Sequence, residues 1–122
     1  MKVLLGVGGS EDSFRALHQT LARTEVTGDD LTIGILENPE STATPSELDE
    51  EIRSVVDEYD VKVTIRLVEG DPGPRLIEIA GDEAFDRIVL GGGKRSPMGK
   101  ISVGSIAEFV ILNAQTSVTL IR

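Results

Sequence analysis

The chain has 122 residues, 39% of them hydrophobic, and a formal net charge of −9 from 21 acidic and 12 basic side chains. Its length predicts one domain with a core of its own, and the lack of cysteine, with a single histidine (His18), excludes disulfides and thiolate metal sites and leaves no zinc site of the usual kind. The charge argues against general nucleic-acid binding and no apolar run approaches the roughly 18–20 residues that span a bilayer, so a cytoplasmic domain without nucleic-acid or membrane partners is expected.

Lys2–Val7 is a short apolar run that stops at Gly8-Gly9, the pattern of a buried parallel strand and too short for a signal-peptide core. Ser10 reads as a helix N-cap with Glu11 and Asp12 in the first turn. Phe14, Leu17 and Leu21 then place an apolar stripe on a helix running to about Thr24, with His18 on the outward, solvated face. After a turn at Gly28-Asp29-Asp30, Leu31–Leu36 forms a second strand. The polar stretch Glu37 to Pro45 is a loop, and Pro45-Ser46-Glu47 opens a helix carrying Leu48, Ile52, Val55 and Val56.

Val61 to Val68 alternates apolar and polar residues, which predicts a half-exposed edge strand. Gly70 to Pro74 breaks the chain, and Leu76, Ile77, Ile79 and Ala80 belong to a third helix ending near Gly81. A strand at 87–90, a glycine-rich loop, a helix near 105–114 and a last strand at Ser117–Ile121 follow. Ser105 and Glu108 fit a capping box at the start of that helix. Strands alternating with helices in this way predict an α/β domain over residues 1–122, built on a five-stranded parallel sheet with four helices.

In such sheets a ligand binds beyond the C-terminal strand ends, where the strand order reverses. Two glycine-rich turns occupy such ends: Gly6-Val7-Gly8-Gly9-Ser10, and the window from Gly91 to Ser105. The first is read equally well as a tight strand-to-helix turn with no ligand. The second is longer, and no acidic residue lies between Asp86 and Glu108, while Arg87, Lys94, Arg95 and Lys100 do. A cationic glycine loop entering a helix N-terminus suits an anion such as a phosphate. Two common phosphate motifs do not fit. A Walker loop needs glycine at position 94 and Ser or Thr at 101, where Lys94 and Ile101 stand; a dinucleotide fingerprint needs glycine at 11, where Glu11 stands. The acidic clusters Asp29-Asp30 and Asp49-Glu50-Glu51 read as solvated faces. No residue identifies itself as a catalytic base, so slow ATP hydrolysis, with Mg²⁺ entering on the nucleotide, is the most that is expected.

The window resembles that of the universal stress protein family, in which a glycine, two residues, a second glycine and nine residues precede Gly-Ser or Gly-Thr. Here Gly91, Gly92-Gly93, Lys94, Arg95 to Val103 and Gly104-Ser105 match that spacing, with lysine in place of the second glycine. Val7-Gly8-Gly9-Ser10-Glu11-Asp12-Ser13, Gly70-Asp71-Pro72 and Asp86 to Gly91 are similar to other segments of the family, so the likeness covers nearly the whole chain. It implies a Rossmann-like three-layer sandwich of the adenine nucleotide alpha hydrolase-like type, acting as a regulatory or stress-response homodimer through the final strand. ATP is the implied ligand, and Gly8, Ile35, Gly91, Gly93, Lys94, Gly104, Ser105 and Ile106 are the implied binding residues, with no catalytic residue or metal ligand. Gly8 stands where nucleotide-binding members commonly hold an aspartate, and losing one such hydrogen bond costs about 0.5–1.5 kcal/mol net. The alternative function is a dimeric protein-interaction module that has lost ATP. The acidic surface reads either as ordinary solubility or as adaptation to a salt-rich cytoplasm, such as that of a halophilic archaeon.

Overall fold

The computed structural model describes residues 1–37, 42–95 and 101–122, excluding the side chains of 94, 95, 101 and 102. Strand and helix alternate as the apolar runs predict: β1 (Lys2–Val7), α1 (Glu11–Thr27), β2 (Asp30–Leu36), α2 (Pro45–Val56), β3 (Thr64–Val68), α3 (Pro72–Asp82) and β4 (Arg87–Gly91). A small hairpin of β5 (Lys94–Arg95) and β6 (Ile101–Ser102) follows, then α4 (Ser105–Asn113) and β7 (Ser117–Ile121). The five long strands form one sheet in the order β3-β2-β1-β4-β7, every pair parallel. The order reverses between β1 and β4, whose Val3, Leu4 and Leu5 pair with Arg87, Ile88 and Val89.

β1 is an unbroken apolar run because both of its faces are covered. Leu5 and Val7, fully buried, join the core beneath α1 and α2, while Leu4 faces the core that includes Leu76 and Ile79 of α3 and Val110 of α4. Each such leucine or valine contributes roughly 1.5–3 kcal/mol by leaving water. The result is a three-layer sandwich.

Helix ends follow from local chemistry. Ser10 caps α1 as its sequence predicts, its hydroxyl accepting from the Ser13 amide at 3.3 Å. At the other end α1 runs a turn past Thr24, because Gly28 supplies a left-handed stop (φ 70°) and returns its amide to the Thr24 carbonyl at 2.9 Å. α2 opens with a capping box that the sequence reading passed over: Thr44 and Glu47 each accept from the other's amide at 3.2 Å, with Pro45 in the first turn. β3 is an edge strand as expected, but starts at Thr64, the residue that pairs with Thr32. Val61 and Val63 lie before the ladder and pack onto the core with α1 and α2.

The start of α4 corrects another expectation. Gly104, extended at φ −65° and ψ 157°, is the N-cap; its carbonyl accepts from the Glu108 amide at 2.9 Å, and no side chain among the described residues caps the helix. Ser105 is already helical, so the Ser105–Glu108 capping box does not form. Among the described residues no helix is long and apolar enough to cross a membrane.

Candidate functional site

The reversal of strand order opens a crevice of about 550 Å³ at the C-terminal ends of β1 and β4. Parallel strands end there with the β1–α1 turn and the β4 turn side by side, and the N-terminus of α4 lines the same space. Gly6, Leu36 and Leu90 line its floor, and they pack tightly: a Cβ on Gly6 would lie 2.8 Å from Leu90 Cδ2 and 3.1 Å from Leu36 Cδ1. Gly8, Gly9 and Ser10 form one wall with Gly91 and Gly93; Gly104, Ser105, Ile106 and Ala107 form the other. Thr42 and Ala43 complete the rim.

Of the residues that the sequence singles out, Gly8, Gly91, Gly93, Gly104, Ser105 and Ile106 are brought together here. Ile35 lies inside β2 in register with Val7 and Leu67 and is 3% exposed, and its neighbour Leu36 lines the crevice. The backbone of Lys94 pairs with Ser102 in the hairpin, where the sequence predicts open loop. The side chains of Lys94 and Arg95, and the whole of Lys100, lie outside the described residues, so the cationic character of the window is carried by sequence alone. His18 is exposed as expected, 2.8 Å from the Tyr59 hydroxyl and away from the crevice.

The glycines of the β4 turn have separate reasons to be glycine. A Cβ on Gly91 would lie 2.6 Å from Asp12 Oδ2 and 2.7 Å from the Asp12 carbonyl carbon, so its bareness seats the first turn of α1. Gly92 donates to the Ile121 carbonyl at 2.7 Å, and its own Cβ would meet Arg122 Cγ at the same distance. Gly93 adopts φ 87°, a left-handed conformation that L side chains avoid. Gly104 differs: its φ is ordinary and an added Cβ would meet nothing within 4 Å among the described residues. Among the described residues no side chain caps the first-turn amides of α4 either, so a helix N-terminus with a positive dipole end faces the crevice.

Asp12 is the crevice residue that the sequence reading did not single out. Its Oδ2 accepts from the Gly93 amide at 2.9 Å, joining the two turns along one wall of the crevice. Partial burial pushes its carboxyl up, but the Ser10 hydroxyl, the Gly93 amide, its own amide and the Arg15 charge outweigh burial and hold it below its ordinary value of 3.8. Asp12 is therefore ionised at neutral pH. In sequence it looks like any acid in a first helical turn; its partner lies 81 residues away.

A parallel α/β sheet with an open helix N-terminus at its switch point defines a Rossmann-like domain with a crevice of the kind that receives ligands in this architecture. The model of the universal stress protein family matches residues 1–122, and the chain belongs to that family. A universal stress protein of Methanocaldococcus jannaschii is 31% identical over 71 residues, a match that spans 58% of this chain and 42% of that relative's own length. A solved universal stress protein in complex with cAMP superposes with a TM-score of 0.78 at 22% identity, covering 100% of this chain and 96% of that one. The universal stress protein of Archaeoglobus fulgidus in complex with dAMP gives 0.71 at 20% identity, covering 100% and 98%. These structural likenesses bear on the fold.

Proposed function

We propose that the crevice binds an adenine nucleotide and that the domain serves as a regulatory or stress-response module rather than a dedicated enzyme. The observation that carries this reading is the uncapped N-terminus of α4, which meets two glycine turns in a cavity of about 550 Å³ at the switch point. Backbone amides at Ser105, Ile106 and Ala107 would take a phosphate, Gly104 would leave room for it, and Gly6, Leu36 and Leu90 would form an apolar floor. The cAMP and dAMP complexes of the structural neighbours support the same ligand class. ATP, which the family spacing suggests, is one member of it, and Mg²⁺ would enter with the phosphates. Titration calorimetry with ATP, ADP, AMP and sulfate tests the reading; absence of heat with all of them, at low and high salt, overturns it.

The assembly belongs to the same proposal. β7 closes one side of the sheet, and the outer row of its backbone groups has no partner among the described residues. Val118 and Leu120 pack toward α3 and α4, and Ile121 packs toward α1 on the other face, which it shares with Ser117 and Thr119. An uncovered edge of this kind invites pairing, and a two-fold copy of itself would satisfy it. Sedimentation at micromolar concentration is expected to show a homodimer; a monomer removes that part.

The alternative, a nucleotide-independent interaction module, has its own support in the absence of a side chain at Gly8 and in the Asp12 carboxylate on Gly93. Protein purified without added nucleotide separates the two, since with one tyrosine and no tryptophan any excess absorbance at 260 nm comes from nucleotide.

A further inference from the structure

A second hollow, of about 320 Å³, opens on the α1 face of the sheet and shares no lining residue with the crevice. Val3 pairs with Arg87 and Val89 with Thr119, so these four side chains share the face that α1 covers. Ile88, Val89 and Leu90 of β4 are all buried, yet at position 87 the strand presents a guanidinium to this face. Among the described residues Arg87 makes no ion pair and no side-chain hydrogen bond. The adjoining Asp86 accepts from the Lys2 amide at 2.7 Å and does not line the hollow. Asp29, the acid that does line it, is engaged by the Met1 amino group at 2.9 Å and by Arg23 Nε at 3.6 Å. In a chain of net charge −9, this hollow gathers more positive groups than negative ones among the described residues.

A buried hydroxyl in the same hollow also lacks a partner. Thr20 and Thr24 stand one turn apart on α1, both 5% exposed and both lining the hollow. Thr24 Oγ1 donates to the Thr20 carbonyl at 2.7 Å, the ordinary way for a helical threonine to satisfy itself. Thr20 Oγ1 is shielded from water and bonds to nothing among the described residues. A hydroxyl left in that state is unfavourable, and native proteins rarely keep one without a use. Threonine in a helix takes either of two χ1 rotamers, so this hydroxyl can follow a ligand that enters.

We propose that the hollow is a second binding site, for a small oxyanion such as a carboxylate or a phosphate, held by Arg87 and the Thr20 hydroxyl. A guanidinium offers two parallel N–H groups that match either anion, and the hydroxyl donates a third hydrogen bond. Gln19 and Thr119 supply further donors from the two sides. The volume lies at the small end of ligand cavities, which favours a compact molecule. This site is independent of the nucleotide reading of the crevice.

The probes are inorganic phosphate and succinate, each titrated at neutral pH and fixed ionic strength into isotope-labelled protein and followed by NMR. At least one of them is expected to shift the Arg87 Nε–H and the Thr119 amide along a single saturating curve. Phosphate alone marks a phosphate site, succinate alone a carboxylate site. Arg53 and Arg75, paired on exposed helix faces with Asp49 and Glu78, are the internal controls and should not saturate. Arg87→Gln should weaken binding by at least about tenfold. Thr20→Val keeps the branched shape, deletes the hydroxyl and should weaken binding by about fivefold. Arg87→Lys keeps the charge and loses the fork; it replaces the glutamine variant should that one not fold, with a loss in the same direction. The Gly104 and Ser105 amides, read in the same spectra, report on the crevice and should respond alike in native and variant chains. No saturable shift at Arg87 with either anion overturns the proposal and leaves the crevice reading untouched. Native affinity in Thr20→Val overturns it as well, since Arg87 is then merely an exposed cation. So do Arg87 signals that move with protein concentration and not with anion, because a second copy then fills the hollow.

Discussion

The two walls of the crevice carry glycines for opposite reasons. On the β4 side the protein consumes them: Gly91 seats Asp12, Gly92 bonds to Ile121 and Gly93 holds a left-handed turn. On the α4 side an added Cβ on Gly104 would meet none of the described residues, in a conformation that any residue could adopt. A spacing pattern that reads as one phosphate loop is therefore two things in space, a packed joint between α1 and β4 and a helix mouth that none of the described residues obstructs. Only the second has no internal explanation.

The sharpest way to break this division is to add the same methyl group to each wall. Gly91→Ala is expected to cost about 1–3 kcal/mol, because the new Cβ meets the Asp12 backbone as well as its side chain and the turn must move. Urea denaturation reads that loss directly. Gly104→Ala should cost about 1 kcal/mol or less, the ordinary difference between glycine and alanine at an N-cap. Its nucleotide affinity should nevertheless fall by about tenfold, since the methyl projects where a phosphate would lie. Equal stability losses at the two positions would erase the distinction between joint and mouth.

Ser10→Ala probes the joint from its helical side. The variant loses the N-cap of α1 and should be about 1 kcal/mol less stable, a fall in Tm of roughly 3–6 °C for a domain of this size.

A smaller effect is expected from acid. Because the folded state holds the Asp12 carboxyl below its ordinary 3.8, the unfolded chain binds that proton more tightly. The stability from Asp12 is thus complete above about pH 4, and it is lost as pH falls through the ordinary value toward the depressed one. Asp12→Asn should lose less stability than the native chain across that acidic window and match its pH dependence near neutrality. Parallel acid profiles for the two proteins would show that the carboxylate is not held by Ser10 and Gly93.

The fold was legible because burial writes itself into strands. The unbroken run of β1 announces a strand covered on both faces, and the alternation before Val68 announces an edge. Caps were legible where one residue decides them, as at Ser10, and missed by a single position at Ser105, where a glycine serves as the N-cap without any side chain to mark it. Most of the crevice could be read from its glycines. Asp12 could not, since its role depends on which strand lies beside β1, and that adjacency is a property of topology. The fit between Asp12 and Gly91 is likewise a distance between residues far apart in the chain, visible only once both turns are in place.

The Gly92–Ile121 hydrogen bond has a consequence for how motion would be felt across the molecule. It fastens the rim of the crevice to the final residue of the edge strand at 2.7 Å. Neither can shift far without dragging or releasing the other. The amide at position 92 is accordingly a built-in gauge: the rate at which it exchanges with deuterium reports the integrity of that fastening. Slower exchange when β7 acquires a neighbour, or when the crevice fills, would be read from one and the same proton.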